Sequence, residues 1–461
     1  MSKSVIKASF WEWVTPHSLI ALSFLGLIAL GSIFLCLPVS SATGTSLDPV
    51  SAIFTATSAT CVTGLTVIDI GTDLSLFGQL VVLSLIQIGG LSVMTLSTFL
   101  LVLIGRRLGM QSEFALMDAY GVEEVKGLRS LLKWAVVMTL LFEGIGSVLL
   151  YFRYHAPGSA IEPWRAWYFA AFHSISAFCN AGFSLHMDNL VGFQQDIWYL
   201  NVVSVLIVIG GLGFLPMYNL LTIKFWKRDL RKRGRIALHT KIVLSATAVL
   251  IIVGAALLLA QEWTHTLKDL PLLNKISCAL FHSITPRTAG FNVLPMLGLS
   301  EGARYVTGVL MFIGGSPGSS AGGIKTTTIV VLIFTVIAMC KRRSETSIFS
   351  RTISNMIVRE ALVIFLVVQV LILFAFGLLL QTEVAVGKTP DAAKLLFETI
   401  SAFSTVGLSI DYTPQLSLWG RWVIIFSMYI GRLGPVAVAL FIGREGDVSR
   451  IRYAEEEVVV G

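Results

Sequence analysis

The sequence predicts an all-α integral membrane protein made of four M1-P-M2 repeats around a pseudo-fourfold pore, each repeat a helix, a half-length re-entrant helix and a second helix. Three observations carry this. Hydrophobic residues are 55% of the 461 and charged residues only 13%, with a mean hydropathy of +0.80, which excludes a soluble class. Apolar runs at 19–37, 80–103, 131–151, 202–221, 242–259, 358–380 and 422–441 approach or exceed the ~20 residues that span a bilayer, whereas barrel strands are shorter and alternate. Four short turns of small residues, each with one glycine, recur at intervals of 118, 108 and 117 residues, a period of multi-element units and not of solenoid turns.

The first apolar run follows two lysines and shows no small-residue cleavage pattern, so it reads as a retained helix. Start signals mark the half-length helices: Asp48-Pro49, Glu162-Pro163, Asp269 with Pro271, and Pro390-Asp391 lie 15, 19, 19 and 17 residues before their glycines. Proline is tolerated in a first helical turn, and an acidic side chain is favourable near the positive end of the helix dipole. The bodies share the frame F-x-x-x-[S/T]: Phe54 with Ser58, Phe172 with Ser176, Phe281 with Thr285, and Phe397 with Ser401. Each half helix is expected to aim its negative C-terminal end at a cation held in the turn.

The turns read Thr60-Cys61-Val62-Thr63-Gly64-Leu65, Cys179-Asn180-Ala181-Gly182-Phe183, Arg287-Thr288-Ala289-Gly290-Phe291 and Ser404-Thr405-Val406-Gly407-Leu408. A ring of backbone carbonyls can replace the water around a cation. The expected filter is therefore Val62, Thr63 and Gly64; Asn180, Ala181 and Gly182; Thr288, Ala289 and Gly290; Thr405, Val406 and Gly407. Each turn is followed 24 to 28 residues later by a second glycine, Gly89, Gly210, Gly314 or Gly431. The alternative for these glycines is ordinary helix packing of the G-x-x-x-G kind.

In the third repeat the second helix cannot be continuous. Gly314, Gly315, Ser316, Pro317, Gly318, Ser319, Ser320, Ala321, Gly322, Gly323, Ile324 and Lys325 put five glycines, a proline and three serines into twelve residues. Non-helical backbone at membrane depth is tolerated only against protein or a water-filled cavity, so this stretch is placed in the pore beneath the turns, the alternative being a flexible kink. A Walker loop does not fit, because Ile324 separates Gly323 from Lys325 and no α/β unit surrounds it.

The net charge of +7 raises nucleic acid as a partner, but the basic residues segregate by side of the membrane. The N-terminal tail, 105–133, 224–241, 341–359 and the tail after Gly443 hold 23 of the 34 lysines and arginines; the side with the glycine turns holds nine. By the positive-inside rule the first set is cytoplasmic, in an inner membrane, and the turns face outward. The run Lys227 to Arg235 is read as lying on anionic membrane lipid, with partner docking as the alternative. Five cysteines at unrelated spacings suggest neither a disulfide framework nor a metal site.

The four turns, the series Gly89-Gly90, Gly210-Gly211, Gly314-Gly315 and Gly431-Arg432, and the stretch from Gly314 to Thr326 together resemble the superfamily of K+ transporters that includes Trk, Ktr and plant HKT proteins. The resemblance covers nearly the whole chain, and the short N-terminal tail is most similar to the Ktr membrane subunit, KtrB. It implies K+ as the ion at the filter residues and Gly314 to Gly323 with Lys325 and Arg432 as the gate. It also implies a homodimer and a cytoplasmic nucleotide-binding ring of KtrA type. No covalent cofactor is expected, and the resemblance leaves room for Na+ as an activator. No nucleotide-binding unit lies in this chain, so segments 224–241 and 341–359 and the tail through 454–458 are the available contact surfaces.

Arg432 stands where the other repeats have Gly90, Gly211 and Gly315. A guanidinium at mid-helix costs roughly 2.5–3.5 kcal/mol on insertion scales, so it is expected to face the interior. There it would bond the Gly314–Lys325 loop and repel cations while the gate is shut; the alternative is an ion pair elsewhere in the bundle. Arg287 is expected behind the third turn, paired with Glu398. His173 and His282 read as packing histidines rather than proton sensors, and Glu143, Asp118, Glu123 and Glu124 form no defensible carboxylate dyad.

The function expected is gated, channel-like K+ uptake, with no catalytic residues. Na+ permeation through the same architecture is one rival, and Gly64 in the first turn, where Na+-favouring HKT-like proteins carry serine, favours K+. A secondary transporter of an organic solute would show inverted repeats, whereas every turn here falls on one side. A membrane enzyme would need a His, Asp or Glu cluster. The repeat boundaries are expected at 1–124, 125–236, 237–350 and 351–461.

Overall fold

The computed structural model describes residues 16–91, 125–155, 161–223 and 236–434. The segments 105–124 and 224–235 and the tail beyond 434, expected on the cytoplasmic side, lie outside them, as do Asp118, Glu123, Glu124 and the C-terminal ends of the runs at 80–103 and 422–441.

The described chain is helical apart from one two-residue hairpin, β1 (Ser347–Ile348) with β2 (Arg351–Thr352). Grouped by the expected repeats, the first holds α1 (Pro16–Cys36), α2 (Pro49–Thr60) and α3 (Leu76–Gly90). The second holds α4 (Val125–Tyr154), α5 (Pro163–Phe178), α6 (Ile197–Leu212) and α7 (Phe214–Thr222). The third holds α8 (Leu238–Glu262), α9 (Leu272–Ile284), α10 (Glu301–Phe312) and α11 (Thr326–Cys340), and the fourth α12 (Asn355–Ala385), α13 (Ala392–Phe403) and α14 (Leu418–Leu433). Residues 133–154 of α4, α8 and α12 are each long and apolar enough to cross a bilayer.

The four half-length helices α2, α5, α9 and α13 begin at the expected signals. Asp48 accepts from the Ser51 amide at 3.0 Å and Asp391 from the Ala393 amide at 2.9 Å, so both cap their helices, while Pro49 and Pro163 occupy first-turn positions. The second helices are anchored at their starts. Glu262 near the end of α8 accepts from the Ser300 amide at 2.8 Å, and Glu383 in α12 accepts from the Ser417 amide at 2.9 Å. Ser300 and Ser417 are the N-caps of α10 and α14, so the same brace occurs in two repeats.

Packing between the expected repeats follows one rule. α3 packs on α5, α6 on α9, α10 on α13, and α14 on α2, so the second helix of each repeat meets the half helix of the next and the last returns to the first. The first and last described helices, α1 and α14, also meet, through Phe24 against Leu433 and a 2.8 Å bond from Tyr429 Oη to the Ala21 carbonyl. Phe54, Phe172, Phe281 and Phe397, the aromatic position of the shared frame, are all buried.

The run 202–221 departs from expectation. It is two helices bent by 97°, broken at Gly213, whose φ is +87°. A Cβ there would lie 2.8 Å from the Pro317 carbonyl, and the Phe214 amide donates to the Gly318 carbonyl at 3.2 Å. The non-helical stretch of the third repeat thus occupies the space a straight helix would need, and it satisfies the amide that the break frees.

Candidate functional site

Each half helix runs into a turn with the same backbone. Two residues with left-handed φ flank one without it: Val62 (+56°) and Gly64 (+96°), Asn180 (+58°) and Gly182 (+71°), Thr288 (+71°) and Gly290 (+76°), Thr405 (+51°) and Gly407 (+95°). Alternating handedness turns successive carbonyls to one side of the strand, which regular structure cannot do. Val62, Thr288 and Thr405 are β-branched, for which positive φ is strained. Strain of this kind, of order 1–3 kcal/mol per residue, persists only where the surroundings fix it.

The half helices supply that fixing. The amides of Thr63, Ala181 and Val406 donate to the Ser58, Ser176 and Ser401 carbonyls at 2.8, 2.7 and 2.8 Å, and the Ala289 amide to Thr285 at 2.9 Å. The hydroxyls of the same four residues hold the far side. Ser58 and Ser401 accept from the amides of Gly64 and Gly407 at 3.0 and 3.2 Å, while Ser176 and Thr285 donate to the carbonyls of Phe183 and Phe291 at 2.7 and 2.6 Å. The serine or threonine of the F-x-x-x-[S/T] frame is thus a clamp on its own turn, a role the spacing alone did not assign.

The four turns meet. A Cβ on Gly64 would lie 2.5 Å from the Ala181 carbonyl, and one on Gly182 would lie 2.8 Å from the Ala289 carbonyl. One on Gly290 would strike the Val406 carbonyl, and one on Gly407 the Thr63 carbonyl, so the contacts run through all four turns and return to the first. Behind them, Cβ atoms on Gly89, Gly210 and Gly431 would collide with the carbonyls of Thr60, Phe178 and Phe403, the last residues of α2, α5 and α13. These glycines let each second helix touch the end of a half helix of its own repeat. Gly314 is different, for it packs on Gly322 within the non-helical stretch.

That stretch, residues 313–325, is closed on itself by a parallel bridge between Ile313 and Ile324 and a 3.0 Å bond from the Thr326 amide to Gly315. The Ser316 amide donates to Gly211 at 3.1 Å, and the Ser320 hydroxyl to Gly210 at 3.2 Å. Ser319 Oγ donates to the Ser316 carbonyl at 2.6 Å and Lys325 Nζ to the Ala321 carbonyl at 2.7 Å. Gly322 lies against the Thr405 hydroxyl and the Ser404 carbonyl of the fourth turn. Gly318 and Gly323 have positive φ, and Pro317 faces the break at Gly213.

Arg432 is 6% exposed and reaches across to this stretch: one guanidinium nitrogen donates to the Ser320 carbonyl and the other to the Gly89 carbonyl of α3. The expected pair of Arg287 with Glu398 does not form. Arg287 donates to Thr247 Oγ1 of α8 at 3.3 Å. Glu398 is taken up by its own repeat, accepting from Ser409 Oγ at 2.6 Å, the Ile410 amide at 2.9 Å and Thr413 Oγ1 at 2.6 Å. A carboxylate with three short donors has little left for a distant guanidinium.

His173 lies in a polar group above the second turn. Its Nδ1 is 2.8 Å from the Phe169 carbonyl and its Nε2 3.0 Å from Ser184 Oγ. Tyr154 Oη meets His186 Nε2 at 2.8 Å and Tyr199 Oη at 3.0 Å, and Asn189 donates to the Gly182 carbonyl at 3.3 Å. Burial holds the His186 imidazole, in the segment after the turn, down at about 4. His282 is buried beside Thr307 Oγ1 at 3.3 Å.

A family model described as a cation transport protein, TrkH, matches residues 16–447. The Ktr system potassium uptake protein B of Bacillus subtilis (strain 168) is 36% identical over 457 residues, covering 98% of each chain. The potassium/sodium uptake protein NtpJ of Enterococcus hirae is 36% identical over 465 residues, covering 99% of this chain and all of that protein. The crystal structure of the potassium transporter TrkH from Vibrio parahaemolyticus superposes with a TM-score of 0.72 at 18% identity, over 94% of this chain and 86% of that one, a likeness of fold. With a family match over nearly its whole length and relatives this similar end to end, the chain belongs to the TrkH family of cation transport proteins and is a multi-pass membrane protein of helices.

Proposed function

We propose that the chain takes up K+ across the cytoplasmic membrane through a gated, channel-like pore on the axis of four M1-P-M2 repeats, with boundaries at 1–124, 125–236, 237–350 and 351–461. The observation that supports this most is the circuit in which each turn glycine abuts a carbonyl of the next turn. Carbonyls of Val62 to Gly64, Asn180 to Gly182, Thr288 to Gly290 and Thr405 to Gly407 take the place of water around the ion, and the clamping hydroxyls hold them against collapse. The turns face outward, following the basic residues assigned to the cytoplasmic side.

Below them, Gly314 to Lys325 is the gate. A loop bonded to Gly210, Gly211 and Phe214 on one side and to Arg432 on the other fills the path, and the guanidinium adds a positive charge that opposes cations. Opening requires these bonds to break together. The input comes from a partner subunit, in keeping with relatives named for a Ktr system, and a nucleotide-binding ring under a homodimer of this chain is the form proposed.

A second reading, joint K+ and Na+ permeation, is favoured by the relative named for both ions. Rb+ uptake into proteoliposomes holding this chain, competed by K+ and Na+, separates the two. Competition by K+ alone supports K+ selectivity, equal competition supports the second reading, and no uptake above empty liposomes removes both.

A further inference from the structure

Among the described residues, one of the four turn glycines has its carbonyl bonded by a side chain. Asn189 Nδ2, in the segment that follows the second turn, donates to the Gly182 carbonyl at 3.3 Å. The carbonyls of Gly64, Gly290 and Gly407 accept no such bond from the described residues. The second turn thus departs from the other three at one oxygen, and a residue outside the turn makes the difference.

Asn189 is held for this contact. Its φ of +55° is a left-handed conformation that asparagine adopts more readily than most residues. Its amide donates to the His186 carbonyl at 3.0 Å, and its carbonyl accepts from Ser184 Oγ at 3.4 Å. The next amide, that of buried Leu190, donates to the Asn292 carbonyl beyond the third turn at 3.1 Å. Ser184 Oγ is in turn 3.0 Å from His173 Nε2 of α5. The segment is therefore tied both to the half helix behind the second turn and to the chain after the third. Asn189 Oδ1 is buried without a partner, so among the described residues the Gly182 carbonyl is the single partner of this side chain. A buried amide oxygen without a donor is costly, and glycine takes the same backbone without that cost, so packing alone does not account for asparagine here.

We propose that Asn189 is a positioning residue of the filter, whose amide, by bonding the Gly182 carbonyl, favours K+ over Na+ at the second turn. This rests on the K+ reading above. Two effects act in the same direction. A carbonyl oxygen has two lone pairs, so it can hold the amide with one and face the ion with the other, and the bond limits how far it can follow a smaller ion inward. The bond also draws electron density from the oxygen, and a weaker dipole favours the larger, more easily dehydrated ion. Without the donor the oxygen is freer and more negative, and Na+ gains.

The test is Rb+ uptake by the whole chain in proteoliposomes, competed by K+ and by Na+, in Asn189→Gly and Asn189→Asp. Both substitutions accept a positive φ and both remove the donor; the first adds no charge and the second adds a negative one. Losing one neutral hydrogen bond on the oxygen is expected to lower the K+ over Na+ preference roughly fivefold in Asn189→Gly, and Asn189→Asp is expected to lower it at least as far. Maximal uptake and melting temperature are expected to stay near wild type, whereas a purely structural role lowers both and leaves the preference where it was. An unchanged preference in Asn189→Gly overturns the proposal. So does a fall confined to Asn189→Asp, which is an effect of charge and not of the lost donor. If Asn189→Gly does not yield folded protein, Asn189→Ser, one atom shorter and uncharged, takes its place and is read by the same outcomes. A wild-type chain without K+-competed uptake, or with equal competition by Na+, is instead a failure of the K+ reading and takes the proposal with it.

Discussion

Gly64→Ser puts the glycine circuit to its sharpest test. The new Cβ would stand 2.5 Å from the Ala181 carbonyl oxygen and 3.2 Å from Gly182 Cα, both backbone atoms that cannot rotate away. To reach an ordinary contact of about 3.4 Å the carbonyl must retreat by roughly 0.9 Å. At φ +96° the backbone adds strain, roughly 1–2 kcal/mol for an L residue in a left-handed conformation. The displaced oxygen belongs to the second turn, so a change in the first damages its neighbour. Losing one well-aimed dipole on a cation is comparable to losing a charge-assisted hydrogen bond, about 1.5–3 kcal/mol, so K+ over Na+ preference is expected to fall roughly 10- to 100-fold. The assay is Rb+ uptake into proteoliposomes against rising Na+, with the melting temperature of each variant recorded. Gly64→Ala separates sterics from chemistry, because it brings the same collision without a hydroxyl that could bind Na+. An unchanged K+/Na+ ratio in both variants, in protein that remains folded, refutes a filter built on this contact.

Arg432→Ala removes the charge and two bonds that tie α14 to Ser320 and Gly89, so resting tracer flux in liposomes is expected to rise severalfold; flux at the wild-type level takes Arg432 out of the gate. Gly431→Ala drives a methyl into the Phe403 carbonyl and is expected to cost about 1–3 kcal/mol, read as a lowered melting temperature. Gly377→Ala in α12, where a Cβ meets nothing within 4 Å, is expected to be neutral or to gain about 0.5–1 kcal/mol. His186 adds a pH dependence. Its imidazole sits at about 4 in the folded chain against an ordinary 6.5, so the unfolded chain binds more protons between those values. Stability is then full above pH 6.5, falls as pH drops toward 4 and levels off below, and His186→Gln is expected to flatten the thermal-denaturation profile over that window.

What was legible in the sequence is what leaves few choices of residue. A turn that needs a left-handed backbone against a neighbouring carbonyl admits little besides glycine, so Gly64, Gly182, Gly290 and Gly407 stand out in register. The helix starts were legible because Asp48, Asp391 and the first-turn prolines act within a few residues of themselves. What stayed hidden is settled by contacts far along the chain. Nothing in Val62, Thr288 or Thr405 announces a positive φ, because the strain is imposed by the half helix behind and the turn beside each. The break at Gly213 looks like one more glycine in an apolar run until Pro317 and Gly318 arrive from a hundred residues away. Glu398 looked free to pair with Arg287 because its three donors come from a segment with no charge pattern.

The same division runs through the mechanism. Each turn is clamped locally, by the serine or threonine of its own half helix, while its oxygens are spaced by the glycine of another repeat. Local clamping makes the ring stiff, and the cyclic contacts make it collective, so a perturbation in one turn reaches the next. The loop at Gly314 to Lys325 is the opposite case. A serine hydroxyl and single amides hold it to α6 and α7 and the Arg432 guanidinium holds it to α14, it has five glycines, and its bonds number few enough to be exchanged together. On the proposed reading, selectivity and gating are separable in one chain, because rigidity is built into the turns above Arg432 and left out of the loop beneath them.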